Sequence, residues 1–166
     1  RVTIEDAVAE RIVKGWRAKH ANVVSYWYAL EEAAFEAVQY PGTVTTVRDT
    51  KFKVVGSFLW CQLPSGRALC YPYPAIVWKD MPWGEKMVHC IGETEAKRVY
   101  GSKLLAYDET TRIATVREPV RKQVVSYKGV NSYTRKWETI YTYGGKLAEN
   151  IDQATARDIL AEAMFR

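Results

Sequence analysis

Hydrophobic spacing changes twice along this chain, at Pro41-Gly42 and at Tyr143-Gly144-Gly145, and those two changes restrict the fold more than any other feature. Before residue 41, apolar side chains recur every three or four positions: Ile4, Ala7, Val8, Ile12 and Trp16, then Val23, Val24, Trp27, Leu30, Ala34 and Val38. That spacing predicts a pair of helices over 1–41. Thr3 is the expected N-cap of the first, with Asp6 approximating a capping box. His20-Ala21-Asn22 marks the break, with Asn22 expected to cap the second helix, and Pro41-Gly42 ends it. Glu31, Glu32 and Glu36 are expected on a solvated face, as are the basic residues Arg11, Lys14, Arg17 and Lys19.

From 42 to 142 the texture is that of strands, dense in β-branched and aromatic residues with turn residues at short intervals. Three hairpins are expected. Ser57–Leu63 turns through Pro64-Ser65-Gly66 into Arg67–Tyr71, and Lys103–Tyr107 turns at Asp108 into Arg112–Val116. Gln123–Tyr127 turns through Gly129–Ser132 into Lys136–Ile140. Residues 72–95, punctuated by Pro72, Pro74, Pro82 and Gly84, read as irregular loop. The last segment, 143–166, returns to helical spacing. Two helices, then strands, then a helix predict an α+β fold with antiparallel hairpins, not a βαβ parallel sheet. At 166 residues the chain suits a single domain-like unit with a real core.

Composition excludes some classes and leaves others open. No run approaches about 18 apolar residues, so no membrane-spanning helix is expected. A net charge of +5 is compatible with nucleic acid without demanding it. Cys61, Cys70 and Cys90, even with His89 beside the last, lack the C-x2-4-C spacing of a zinc site, so no metal site is expected and the thiols read as reduced and partly buried. Gly144-Gly145 is too short for a phosphate-binding loop and reads as a flexible helix entrance. No Ser/His/Asp or paired-carboxylate constellation stands out, and the many tyrosines and tryptophans are explained by strand packing.

The final helix carries the chemistry. Lys146, Glu149, Asn150, Gln153 and Arg157 share one face, three or four residues apart, while Leu147, Ile151, Thr155, Ile159, Leu160, Ala163 and Met164 lie behind. Such a helix docks by its back and offers amides and mixed charge in front. By spacing alone, Gln153 also reads as an ordinary solvent-facing residue, and Arg157 with Asp158 as a packing or ion-pair element.

The segment Tyr143-Gly-Gly-Lys-Leu147, followed by Glu149-Asn150-x-x-Gln153-x-x-x-Arg157-Asp158-x-Leu160-Ala161-x-x-Met164, resembles the family A (polymerase I type) DNA polymerases, most closely their phage and prophage branch. Leu63-Pro-Ser-Gly66-Arg67-x-Leu69-x-Tyr71 is similar to a hairpin of the same branch, and the helical stretches 3–17 and 24–38 are similar to its paired helices after the fingers helix. Trp137 ahead of the Tyr-Gly-Gly segment also fits. Residues 72–130 carry no motif of that family.

The resemblance implies a fragment spanning late fingers and part of the palm, with primer–template DNA as partner. It implies that Gln153 reaches the minor groove, where acceptors common to all base pairs permit contact without sequence choice. Relatives differ at the positions of Gly145 and Glu149, so Lys146 or Asn150 stands in for those contacts. Arg67 and Arg157 are the candidate backbone contacts, and Asp158 is expected in a structural ion pair. The family's metal-binding carboxylate motifs, which hold Mg²⁺, are missing from this sequence, so the chain is expected to contain no catalytic residue or cofactor and to be inactive alone. The absence of an initial Met reads as an excised or processed piece. Open strand edges predict self-association, and the bacterial host cytoplasm is the expected location. A stand-alone nucleic-acid-binding module and one half of a split polymerase remain open alternatives.

Overall fold

The computed structural model describes residues 6–81 and 84–165. Along the chain run α1 (Asp6–Lys19), α2 (Ala21–Gln39), β1 (Val44–Val47), β2 (Thr50–Val55), β3 (Phe58–Gln62), β4 (Ala68–Pro72), β5 (Ala75–Met81) and β6 (Glu85–His89). Then come α3 (Glu93–Tyr100), a short 3-10 turn, β7 (Leu104–Asp108), β8 (Ile113–Arg117), β9 (Val120–Val130), β10 (Trp137–Tyr141) and α4 (Gly144–Met164). The strands pair antiparallel along β1-β2-β3-β4, between β9 and β10, and along β6-β8-β7, and the fold is α+β. The chain divides into two compact units, one of Arg1–Ile76 with Val124–Arg166 and one of Val77–Gln123.

In the first unit, β1-β2-β3-β4 form a meander whose side chains alternate strictly. Phe52, Val54, Leu59, Cys61 and Tyr71 point inward, and the intervening residues face out. That alternation is the period-2 signature of a half-buried sheet. Leu30, Ala33, Ala34 and Ala37 of α2 close over the inner face, and Leu147, Ala148, Ile151 and Ala154 of α4 complete the same core. The alanines of α2 let its backbone come close, and Thr45 of β1 donates its hydroxyl to the Ala33 carbonyl at 2.8 Å. The chain leaves β10 through Thr142, whose N–H donates to the Val125 carbonyl at 2.9 Å. At the start of α4, Gly144 N–H donates to the Glu31 carboxylate of α2 at 3.1 Å. An anion at a helix N-terminus is favourable. Glu31 therefore leaves the solvated face expected for it, whereas Glu32 and Glu36 are exposed.

Other expectations need correction. The second helix begins after His20, which occupies the N-cap position without a side-chain cap, and Asn22 lies inside the helix. There the Trp16 ring stacks on Trp27 at 5.6 Å between centroids and meets the His20 ring at a tilt, at 4.7 Å. The expected cap at Thr3 lies outside the described residues. Of the apolar stripe of α1, Ile12 and Trp16 are exposed, as is Val13 beside them. On α4, only the part up to Ala154 is buried in the core. Ile159, Leu160 and Met164 are exposed because the helix, at 21 residues and 1.5 Å per residue, outruns the sheet it packs over.

The stretch 72–95 is not an irregular loop. β5 and β6 form from its apolar runs, Ile76-Val77-Trp78 and Met87-Val88, with Pro72 and Pro74 at strand ends where no ladder donor is lost. The second unit pairs β6-β8-β7, and α3 packs with it around Cys90, Ala96, Ala114 and Val116. α3 had a legible signal: acidic Glu93 and Glu95 in its first turn, Lys97 and Arg98 in its last, and glycines at both ends.

Candidate nucleic-acid interface

The hairpin turn between β3 and β4 positions the first candidate. Gly66 N–H donates to the Leu63 carbonyl at 2.9 Å, and Leu63 N–H to the Arg67 carbonyl at 2.7 Å, which closes a tight loop with Pro64 at its second position. Gly66 has φ of +86°, a left-handed conformation that glycine adopts without strain. The turn projects Arg67 across to α4. Its Nε donates to Asp158 Oδ1 at 2.6 Å, its Nη2 to the Ala154 carbonyl at 2.9 Å, and Ser65 Oγ donates to Asp158 Oδ2 at 2.5 Å. Asp158 is thus in the structural ion pair its sequence context predicts. Arg67 spends two of its nitrogens on fastening the hairpin to the helix.

The hydroxyl of Ser65 and the Arg67 guanidinium hold the Asp158 carboxyl below its ordinary value of 3.8. A depressed carboxylate pKa stabilises the fold above the unfolded value and ceases to do so as pH falls through the folded one. Wild type should therefore be more stable than Asp158→Asn at pH 6, and the gap in urea midpoint should close as pH drops below about 4. A gap that stays constant down to pH 3 would show that the charge on Asp158 contributes nothing.

Between the fastened hairpin and α4 lies an open groove of about 460 Å³. Arg67, Leu69, Cys70 and Tyr71 form one wall, and Asn150, Gln153, Ala154 and Arg157 the other. Asn150 Nδ2 donates to the Tyr71 hydroxyl at 3.2 Å. Burial pushes the Tyr71 phenol well above its ordinary range, so it stays neutral, and the Tyr127 ring meets it edge-on at 5.0 Å. That bond commits the Asn150 amide nitrogen to Tyr71 and leaves its oxygen as the acceptor.

Four of the five sequence candidates thus come together: Arg67, Asn150, Gln153 and Arg157. Lys146 does not line the groove. It sits in the first turn of α4, where its ammonium meets Glu149 at 3.2 Å and the carboxylate raises its pKa. Glu149 also accepts from Gln153 Nε2 at 3.3 Å, so one carboxylate bridges Lys146 and Gln153. Sequence reasoning missed Tyr71 and Cys70 as parts of the groove, although Tyr71 stood inside the recognised hairpin motif. Cys61 and Cys90 are buried, Cys70 is exposed, and burial pushes the Cys61 thiol up to about 12. Among the described residues, no three of His, Cys, Asp and Glu come together as metal ligands would. No helix among them is long and apolar enough to cross a membrane.

The groove offers amide oxygens, an amide donor and a guanidinium to whatever enters it. The chain is 31% identical over 155 residues to a DNA polymerase of Bacillus phage SP02. It is similar to part of a DNA polymerase. The alignment takes in 93% of this chain and 18% of the phage protein, so the chain spans about a fifth of that relative's length. No protein-family model and no solved structure matches the chain.

Proposed function

We propose that this chain is the duplex-holding portion of a phage-type, family A DNA polymerase, and that the groove between the β3–β4 hairpin and α4 is where primer–template DNA lies. The observation that carries the proposal is the convergence of Asn150, Gln153 and Arg157 with the Arg67 hairpin in one groove, from sequence positions more than eighty residues apart. In this reading, Gln153 and the Asn150 oxygen meet minor-groove base edges, and Arg157 meets a backbone phosphate. Arg67 acts mainly by holding the hairpin in register, and Glu149 must release Gln153 when DNA binds. Sequence-independent amide contacts suit a polymerase, which must grip every sequence alike.

Nucleotide transfer in the longer polymerase relies on carboxylate-held Mg²⁺ ions that polarise the reacting oxygens. In this reading the chain's own contribution is binding and orientation, and the isolated chain does not extend a primer. Its exposed apolar residues on α1 and at the end of α4 favour self-association of the isolated chain.

The test is titration of a labelled primer–template at two salt concentrations. Asn150→Ala with Gln153→Ala should weaken binding roughly tenfold, the worth of two modest hydrogen bonds, with little change in salt dependence. Arg157→Ala should instead lower the salt slope by about one. Glu149→Gln should tighten binding by removing the anion that holds Gln153 beside the groove. Unchanged affinity in all these variants would sink the assignment of the groove, and robust primer extension by the isolated chain would sink its inactivity.

A further inference from the structure

The β1–β4 sheet has two unlike faces, and only the inner one is covered by the core. On the outer face, Lys53 pairs in register with Trp60, and Trp60 with Cys70, while Lys51 lies one pleat along the same strand. Phe58 and Trp60 remain 38% exposed, with ring centroids 5.8 Å apart. Tyr73 extends the row, 6.5 Å from Phe58 and 60% exposed. Tyr73 is held there at φ of +49°, a costly conformation for a tyrosine, with its N–H donating to the Ser57 carbonyl at 2.7 Å. Fold stability does not require three large rings in solvent.

Charge narrows the occupant. None of the four strands contains an acidic residue. Lys51 and Lys53 are exposed, and neither pairs with a carboxylate among the described residues. Open aromatic faces beside free ammonium groups, on a rigid sheet, are the chemistry by which proteins hold unpaired bases and their phosphates. A duplex, whose bases are stacked internally, cannot use the rings in this way.

We propose that the outer face of β1–β4 binds single-stranded DNA, with bases stacking on Trp60, Phe58 and Tyr73 and phosphates paired with Lys51 and Lys53. Cys70 belongs both to this face and to the groove described above, so the two surfaces meet along β4. A strand leaving the groove unpaired therefore reaches the aromatic row directly. Only the choice of DNA over RNA rests on the function proposed above; the stacking face is independent of it.

The experiment is fluorescence anisotropy of the full 166-residue chain with a labelled oligothymidylate, an oligouridylate of equal length and a blunt duplex, at low and moderate salt. Trp60→Ala should weaken oligothymidylate binding by about tenfold, and Trp60→Phe, which keeps a ring, by much less. Lys51→Glu combined with Lys53→Glu, both surface changes, should weaken it at least as much and flatten its salt dependence. None of these variants should alter blunt-duplex affinity, and Asn150→Ala with Gln153→Ala should leave the oligothymidylate unaffected. Loss of duplex binding alone in that last variant separates the fate of the groove from that of the sheet face. No single-strand binding at low salt, or unchanged affinity in Trp60→Ala and in the lysine variant, overturns the proposal. So does a Trp60→Ala chain that changes oligomeric state by light scattering with its DNA affinity intact, because the face would then be a protein contact. Tighter binding of oligouridylate than of oligothymidylate overturns the choice of DNA.

Discussion

Gly144→Ala is expected to destabilise the first unit by about 3 kcal/mol or more, read as a lowered urea midpoint at unchanged slope. A Cβ at 144 would lie 1.8 Å from the Trp27 carbonyl oxygen and 2.5 Å from its carbon. Both are backbone atoms of α2, so neither can swing aside as a side chain would. Relief requires α4 to lift away from α2, which also pulls Gly144 N–H from Glu31 and loosens the seat of Leu147. Even molecules that remain folded would carry Asn150 and Gln153 displaced from the groove, so primer–template affinity should fall with stability. Gly145→Ala is the control. Its new methyl meets the exposed Tyr143 ring at 3.1 Å, which can rotate, and the Trp27 side chain at an ordinary 3.9 Å, and alanine favours the helix over glycine by about 0.8–1 kcal/mol. That variant should be neutral or slightly stabilised. If the two substitutions behave alike, Gly144 is not the contact point between the helices.

Phe52→Ala should cost about 3–5 kcal/mol. Phe52 is fully buried and is the largest such side chain, at the centre of the core shared by β2, α2 and α4. Truncation removes apolar surface from the core and leaves a cavity that rigid sheet neighbours, Thr45 and Cys61 in register, cannot collapse to fill. Phe52→Leu, which keeps most of the volume, should lose much less. Lys53→Ala next in the chain points the other way and should stay within about 0.5 kcal/mol of wild type. Thermal or urea unfolding of the three variants checks the order, and a Phe52→Ala loss no larger than that of Lys53→Ala would refute the placement of the core.

The residues that were legible in advance are those whose role depends on near neighbours. The hairpin that turns through Pro64-Ser65-Gly66, the two hairpins that follow it, and the front face of α4 all follow from spacing of two to four residues. The strands in 72–95 are not legible because proline punctuation resembles that of a loop, while Pro72 and Pro74 sit at strand ends where a missing N–H costs nothing. The hydrogen bond that Glu31 accepts was also hidden, because its donor is the start of α4, 113 residues away. On α4 the error ran in the opposite direction. Ile159, Leu160 and Met164 continue the apolar period, yet periodicity cannot say how far the covering sheet extends.

For the candidate site, the sequence identified residue types and left their employment open. Arg67 was readable as a cation in a hairpin, but not as the clamp that binds Asp158, 91 residues on, and the Ala154 carbonyl. Lys146 shares a helical face with Gln153, yet Glu149 holds it outside the groove wall.

By itself, then, the sequence determined the α+β class, the turn chemistry and the polar front of the last helix, because each is written in local period and backbone preference. The tertiary structure decided which of those polar groups face one another across the groove, which are consumed in holding the hairpin, and which sheet face stays bare. Those outcomes depend on contacts between segments some 80 to 110 residues apart, set by how the cores fill and by steric fits such as Gly144 against Trp27, which no local pattern encodes.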